Sequence, residues 1–168
     1  MPHIRAVIIG ADTGVGREVA RLAVAYGAEV VGVQTTVSPP GSEPWTAGVT
    51  WCSTMDALPG SGAQAMIVVD EPDPSRWIEI ARDLAIGRIV VVGDHLFLRA
   101  GSARGIVRAR PGEVRMGPLD PEEPTAGGDW IRVERLAMAL LRAALEDDVP
   151  SELDHAALCR IGDAVFWQ

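Results

Sequence analysis

Between an apolar run ending at Ile9 and an amphipathic stretch from Val15 to Tyr26 stands a glycine-spaced turn, Gly10-Ala11-Asp12-Thr13-Gly14-Val15-Gly16. Strand, tight turn and helix in that order open a βαβ unit, and with it a parallel sheet carrying helices on its faces. The same order meets the needs of a dinucleotide phosphate. Glycines let backbone N–H groups come close to a pyrophosphate, and the start of the helix offers partial positive charge. The cofactor-binding positions this implies are Gly10, Asp12, Thr13, Gly14, Val15, Gly16 and Arg17, with Gln34 at the end of the next strand.

Strand and helix signals alternate along the rest of the chain, which predicts an α/β fold with a doubly wound, mostly parallel, Rossmann-like sheet. Strands are expected over residues 3–9, 29–34, 49–52, 65–69, 88–92 and 105–109, with a closing strand over 164–168. Val15, Val19, Leu22, Ala23 and Tyr26 recur at helical spacing, and Gly27 ends that helix. Asp73-Pro74 starts a second helix with Trp77, Ile80, Ala81 and Leu84 on one face. Residues 35–48 and 110–128, dense in Pro and Gly, read as loops. Asp129 is placed to cap a long last helix whose apolar face is Val133, Leu136, Ala137, Leu140, Leu141 and Ala144.

The size, 168 residues, fits one domain spanning residues 1–168, with a reduced C-terminal region from 105 to 168. Apolar runs stop at about six residues, far short of the ~20 that span a bilayer. With no leader pattern either, a cytoplasmic protein without a membrane partner is expected. The net charge of −8 argues against direct nucleic-acid binding, which needs a basic face. Cys52 and Cys159, the two cysteines, make neither a disulfide framework nor a metal cluster, so no metal is expected.

The turn Gly10-x-x-x-Gly14-x-Gly16 resembles the cofactor loop of short-chain dehydrogenases/reductases, and Arg17-Glu18-Val19 after it is similar to their NmrA-like and sugar-epimerase-like branches. Ala81-Arg-Asp-Leu-Ala-Ile-Gly-Arg-Ile-Val-Val-Val92 resembles the helix and fifth strand of those branches. Ile106-Val-Arg-Ala-Arg-Pro111 with Gly117-Pro118 resembles the strand and turn beside their substrate pocket. Trp130-Ile-Arg-Val-Glu-Arg-Leu-Ala-Met-Ala-Leu-Leu141 is similar to their late helix. The resemblance implies an NAD(P)-binding protein of atypical kind.

The family's chemistry uses a Ser, a Tyr and a Lys four residues after the Tyr. Within these 168 residues there is no lysine, and Tyr26 is the single tyrosine. Where the Ser is expected, past the fifth strand, stand Gly93-Asp94-His95. The stretch from Val92 to Ile106 is too short for the family's Tyr-Lys helix. The standard mechanism is therefore excluded by residue inventory.

Asp94 and His95, just beyond a central strand, are the candidate catalytic acid–base residues. Gln34-Thr35-Thr36 replaces the acidic residue that would mark NAD at the end of the second strand. Arg17, placed to reach a ribose 2′-phosphate, tilts the choice between NAD and NADP toward NADP. Two functions follow: a cofactor-responsive accessory or regulatory protein with a protein partner, or a small biosynthetic reductase, isomerase or cyclase with a small-molecule substrate. The last helix and the five tryptophans offer surface for a homodimer.

Overall fold

In the computed structural model, which describes residues 4–36, 41–53, 62–93 and 105–163, strand and helix alternate as the sequence predicts. Strands β1 (Arg5–Ile9), β2 (Glu29–Val33), β3 (Val49–Cys52), β4 (Ala65–Val68), β5 (Arg88–Val92) and β6 (Ile106–Ala109) lie in one sheet, extended by the short β9 (Glu152–Leu153). The order across it is β3-β2-β1-β4-β5-β6-β9, and every described pairing is parallel. A separate parallel ribbon pairs β7 (Glu113–Arg115) with β8 (Trp130–Arg132).

All four residues of β4 are buried, as are Ile8, Ile9, Met66 and Ile67. A strand covered on both faces has no polar side, which is why these segments read as unbroken apolar runs. On one face, α1 (Gly14–Ala25), α3 (Val133–Leu145) and α4 (His155–Asp163) share a core with Ile8, Val30, Ile67, Val90 and Val107. On the other, α2 (Ser75–Asp83) sets Trp77, Ile78 and Ala81 against Val7, Ile9, Met66, Val68 and Val91. Neighbouring residues of one strand enter opposite cores, as the two-residue period of a strand demands.

Strand order reverses between β1 and β4, which are hydrogen-bonded neighbours. Beyond their carboxyl ends the connections diverge to opposite sides, and this divergence opens a crevice. The glycine turn lies at that crevice.

Several expectations need correction. Tyr26 is the C-cap of α1 and 41% exposed, not part of its apolar face. Residues 44–48 form a 3-10 turn inside the expected loop. Asp129 caps no helix: the chain runs from it into β8, and α3 begins only after Arg132. Within the expected loop 110–128 lies β7, held by a non-local strand pairing. β9 and α4 were not foreseen. The apolar face of α3 is covered by α1, α4 and the sheet, so it offers no open surface for a second copy. His3 and residues 164–168, with the closing strand expected there, lie outside the described residues.

Candidate functional site

The turn from β1 to α1 keeps its backbone bare. Gly10 and Gly14 have φ of +79° and +52°, a region that a Cβ disfavours. A Cβ on Gly10 would stand 2.6 Å from the Val69 carbonyl oxygen, and one on Gly16 would run into the carbonyl of Gly10. The ends of β1 and β4 and the first turn of α1 thus pack backbone against backbone. Thr13 is the N-cap, extended at φ −138° and ψ 150°, with no side-chain cap. The helical ladder starts with Arg17 N–H donating to the Thr13 carbonyl at 3.1 Å. Among the described residues nothing accepts from the N–H groups of Gly14, Val15 and Gly16, the expected condition of an uncapped first turn.

Asp12 turns away from those amides. Its Oδ1 accepts from Thr35 N–H at 3.0 Å and Thr35 Oγ1 at 3.3 Å; its Oδ2 accepts from Thr36 N–H at 2.9 Å and Thr36 Oγ1 at 2.6 Å. Burial raises the pKa of this carboxyl, but the Thr36 hydroxyl and the Thr35 and Thr36 amides together outweigh that and hold it below the ordinary aspartate value. The carboxylate therefore sits at the end of β2, where the sequence shows no acid. Gln34 is half-buried there, its N–H donating to the Cys52 carbonyl at 2.9 Å.

Arg17 is occupied. Its guanidinium pairs with Glu43 and lies over the Trp45 ring, 5.3 Å from the centroid. Glu43 Oε2 also accepts from Trp45 Nε1 at 2.8 Å. The NADP expectation rested on this cation, which the structure commits to the 41–48 segment.

A cleft of about 970 Å³ opens from the glycine turn across the carboxyl ends of β4, β5, β6 and β9. Its apolar wall is Val15, Val69, Val92 and Val114; its polar groups are Asp70, Glu71, Arg110, Asp154 and His155. Asp70 has φ +55°, and its Oδ2 lies 3.4 Å from where a Cβ of Gly14 would stand. One carboxylate is thereby brought to the mouth of α1. Glu71 instead braces its own loop, accepting from Trp77 Nε1 at 3.2 Å and Asp73 N–H at 3.3 Å.

His155, which no motif in the sequence singles out, lines this cleft. Its Nδ1 lies 2.6 Å from the Pro111 carbonyl oxygen and its Nε2 2.8 Å from that of Gly127. Two acceptors ask for two N–H donors, so the contacts favour the imidazolium. The pKa is raised, first by the Gly127 and Pro111 carbonyls, then by Asp129 and Asp154. Asp154, whose Oδ1 accepts from Ala157 N–H at 2.8 Å, starts α4. The pattern Asp154-His155-Ala156-Ala157-Leu158 was the sequence signal for that start. Asp94 and His95 lie outside the described residues.

Arg132, 8% exposed, binds Glu134 through Nε at 3.0 Å and a terminal nitrogen at 2.8 Å, and donates to the Gly117 carbonyl at 2.7 Å. Hydrogen bonds to Glu134 raise the guanidinium's pKa. Arg132 thereby ties down the 117–118 turn. Among the described residues no cluster of His, Cys, Asp and Glu is arranged for a metal, and no described helix is long and apolar enough to cross a membrane.

No family model and no curated protein matches the sequence. Solved structures do match in fold. An NAD-dependent NDP-hexosamine 5,6-dehydratase of tunicamycin biosynthesis superposes with a TM-score of 0.63 at 14% identity, over 90% of this chain and 75% of that one. Yeast methylglyoxal/isovaleraldehyde reductase complexed with NADPH gives 0.64 at 14% identity, over 90% and 75%. An anaerobillin reductase from Escherichia coli O157:H7 gives 0.61 at 16% identity, over 89% and 94%. The chain has the Rossmann-like fold shared by these reductases and this dehydratase.

Proposed function

We propose that this chain binds a nicotinamide dinucleotide along the carboxyl ends of its sheet and works as a cofactor-responsive accessory or regulatory protein. The observation that carries this reading is the bare turn at the switch point, with the N–H groups of Gly14, Val15 and Gly16 open at the start of α1. Gly10, Gly14 and Gly16 bring no side chain of their own to the turn and Asp12 is drawn off by Thr35 and Thr36, which suits a diphosphate, while the Asp70 carboxylate, 3.4 Å from where a Cβ of Gly14 would stand, opposes it. Fold neighbours that work with NAD or hold NADPH support it.

What surrounds the turn supports the accessory role. The chain has no lysine, and Tyr26 caps the far end of α1, roughly 18 Å from the turn at 1.5 Å per residue. Neither can serve the proton transfer used by the resembling family. Calorimetric titration with NAD, NADH, NADP and NADPH tests the proposal, and the absence of heat with all four at millimolar concentration would remove it.

The size of the cleft favours a second reading, a small biosynthetic enzyme. About 970 Å³ is at the upper end of ordinary ligand pockets and leaves room for a substrate beside a nicotinamide, which when bound would supply hydride chemistry. In that reading Asp94 and His95 act as the acid–base residues, and unchanged turnover in Asp94→Asn and His95→Ala variants would refute their roles.

A further inference from the structure

We infer that Asp12 makes this site selective for NAD over NADP, taking from the turn the role that an acid at the end of β2 would otherwise fill. This rests on the dinucleotide reading above and sharpens it.

The adenosine ribose of a dinucleotide on this fold lies at the end of the second strand, where a carboxylate receives its hydroxyls. No acid stands in the sequence there: β2 runs out into Gln34, Thr35 and Thr36. The carboxylate at that place comes from Asp12, which precedes Thr35 by 23 residues and is held by four hydrogen bonds. The two backbone bonds, at 3.0 and 2.9 Å, fix its plane. The two hydroxyl bonds are different in kind, because a threonine hydroxyl can rotate and give up its acceptor. The bond from Thr35 Oγ1 is the longer, at 3.3 Å, and is the readier to yield. One lone pair on each oxygen can thus pass to the ribose diol without unseating the carboxylate.

A ribose 2′-phosphate meets the opposite situation. It would bring close to two negative charges against a carboxylate that its amide and hydroxyl donors keep ionised. Phosphate recognition needs a cation with donors to offer, and the arginine on this turn is already engaged. Arg17 is paired with Glu43, and Glu43 is fixed by Trp45. Like charge at the ribose and a neutralised arginine act in the same direction.

The test uses the full chain, with Trp45 and Trp51 as fluorescence reporters and calorimetry alongside, against NAD, NADP, ADP and 2′-phospho-ADP. NAD should bind at least about 30-fold more tightly than NADP, the factor expected when like charges meet near a protein surface. ADP should likewise outbind its 2′-phosphorylated form. Asp12→Asn should bring the NAD:NADP ratio close to one, and Glu43→Gln, which releases Arg17 and leaves Asp12 in place, should strengthen NADP binding alone. Thermal unfolding of both variants checks that the turn stays folded. Binding of NADP as tightly as NAD to the unmodified chain, or an unchanged ratio in a folded Asp12→Asn variant, would overturn the inference and leave the dinucleotide site standing. Absence of binding by all four nucleotides would overturn both.

Discussion

Nδ1 of His155 stands 2.6 Å from the carbonyl oxygen of Pro111, and the Gly127 carbonyl faces the other ring nitrogen at 2.8 Å. The ring bridges the segment after β6, which lines the cleft, to the segment before β8. A neutral imidazole can donate to one carbonyl only. The pKa is raised from the ordinary 6.5, so protonation is favoured in the folded state. The stabilisation is complete below that value and is lost as pH rises through the higher folded value. The stability margin of the wild type over His155→Gln should therefore be largest near pH 5.5 and shrink toward pH 8.5 in urea unfolding. Parallel stability curves across that range would show that folding does not shift the ring's pKa.

Two helix ends invite a direct comparison. At the end of α1, Gly27 N–H donates to Val24 O and Ala28 N–H to Ala23 O, with Gly27 at φ +81°. At the end of α2, Ala85 and Ile86 make the same pair of bonds to Arg82 and Ala81, but the left-handed residue is Ala85 at φ +55°. An L-residue costs about 1–2 kcal/mol in that conformation, while glycine gives back part of this through chain entropy. Ala85→Gly should raise stability by about 0.5–1 kcal/mol, and Gly27→Ala should lower it by a similar amount. Thermal midpoints moving in the same direction for both would contradict this.

The glycine turn was legible because its meaning is local: each requirement falls within seven consecutive residues. So was the parallel sheet, since buried strands carry their own apolar runs. What could not be read depends on distant partners. Nothing near Asp12 points to Thr35 and Thr36, and nothing near Arg17 points to Glu43, 26 residues on. β9 is two residues long, too short for any period, and stands because Arg108 and Arg110 N–H groups donate to Ser151 and Leu153. His155 was passed over because its role comes from two carbonyls, 44 and 28 residues away. Helix α3 was legible as a helix, but its start was misplaced: Asp129 resembles a cap, whereas pairing of β8 with β7 keeps the chain extended through Arg132.

Arg132 is the one charged side chain among the buried described residues, and its partner Glu134 is held below the usual glutamate range. Burial opposes that shift, and hydrogen bonds from Arg132 and the backbone overcome it. Glu134→Ala removes both carboxylate bonds while leaving the Gly117 and Pro118 carbonyls in place. The loss should be about 1.5–3 kcal/mol, the range for hydrogen bonds to charged groups. For wild type, this contribution is present at neutral pH and declines as acid titrates Glu134 through its lowered folded value. A denaturant midpoint unchanged at pH 7 in the variant would mean that the pair adds nothing to the fold.

Among the described glycines, Gly16 is the position where backbone packing leaves least room, because a Cβ there collides with the Gly10 carbonyl rather than with a movable side chain. Gly16→Ala must push α1 away from β1 and should destabilise by about 1–3 kcal/mol, as overpacked cores do. The same displacement moves the open amides of Gly14 and Val15, so nucleotide binding should fall more steeply than stability. Wild-type affinity in a folded Gly16→Ala protein would show that the amides are not what holds the ligand.

Asp70 gives the sharpest functional test, because its carboxylate opposes the chemistry assigned to the turn. The oxygen beside Gly14 places negative charge at the start of α1, where it competes with an incoming diphosphate for the helix's positive end. Asp70→Asn keeps the size of the side chain and tolerates the left-handed backbone at φ +55°, so it removes charge and little else. Affinity for dinucleotide should rise about 3- to 10-fold, the order expected from one like charge screened near a surface, and the gain should shrink as salt is added. If Asp70→Asn instead weakened binding, the carboxylate would be a ligand contact, and the nicotinamide half would have to lie over it with the diphosphate displaced toward Thr13.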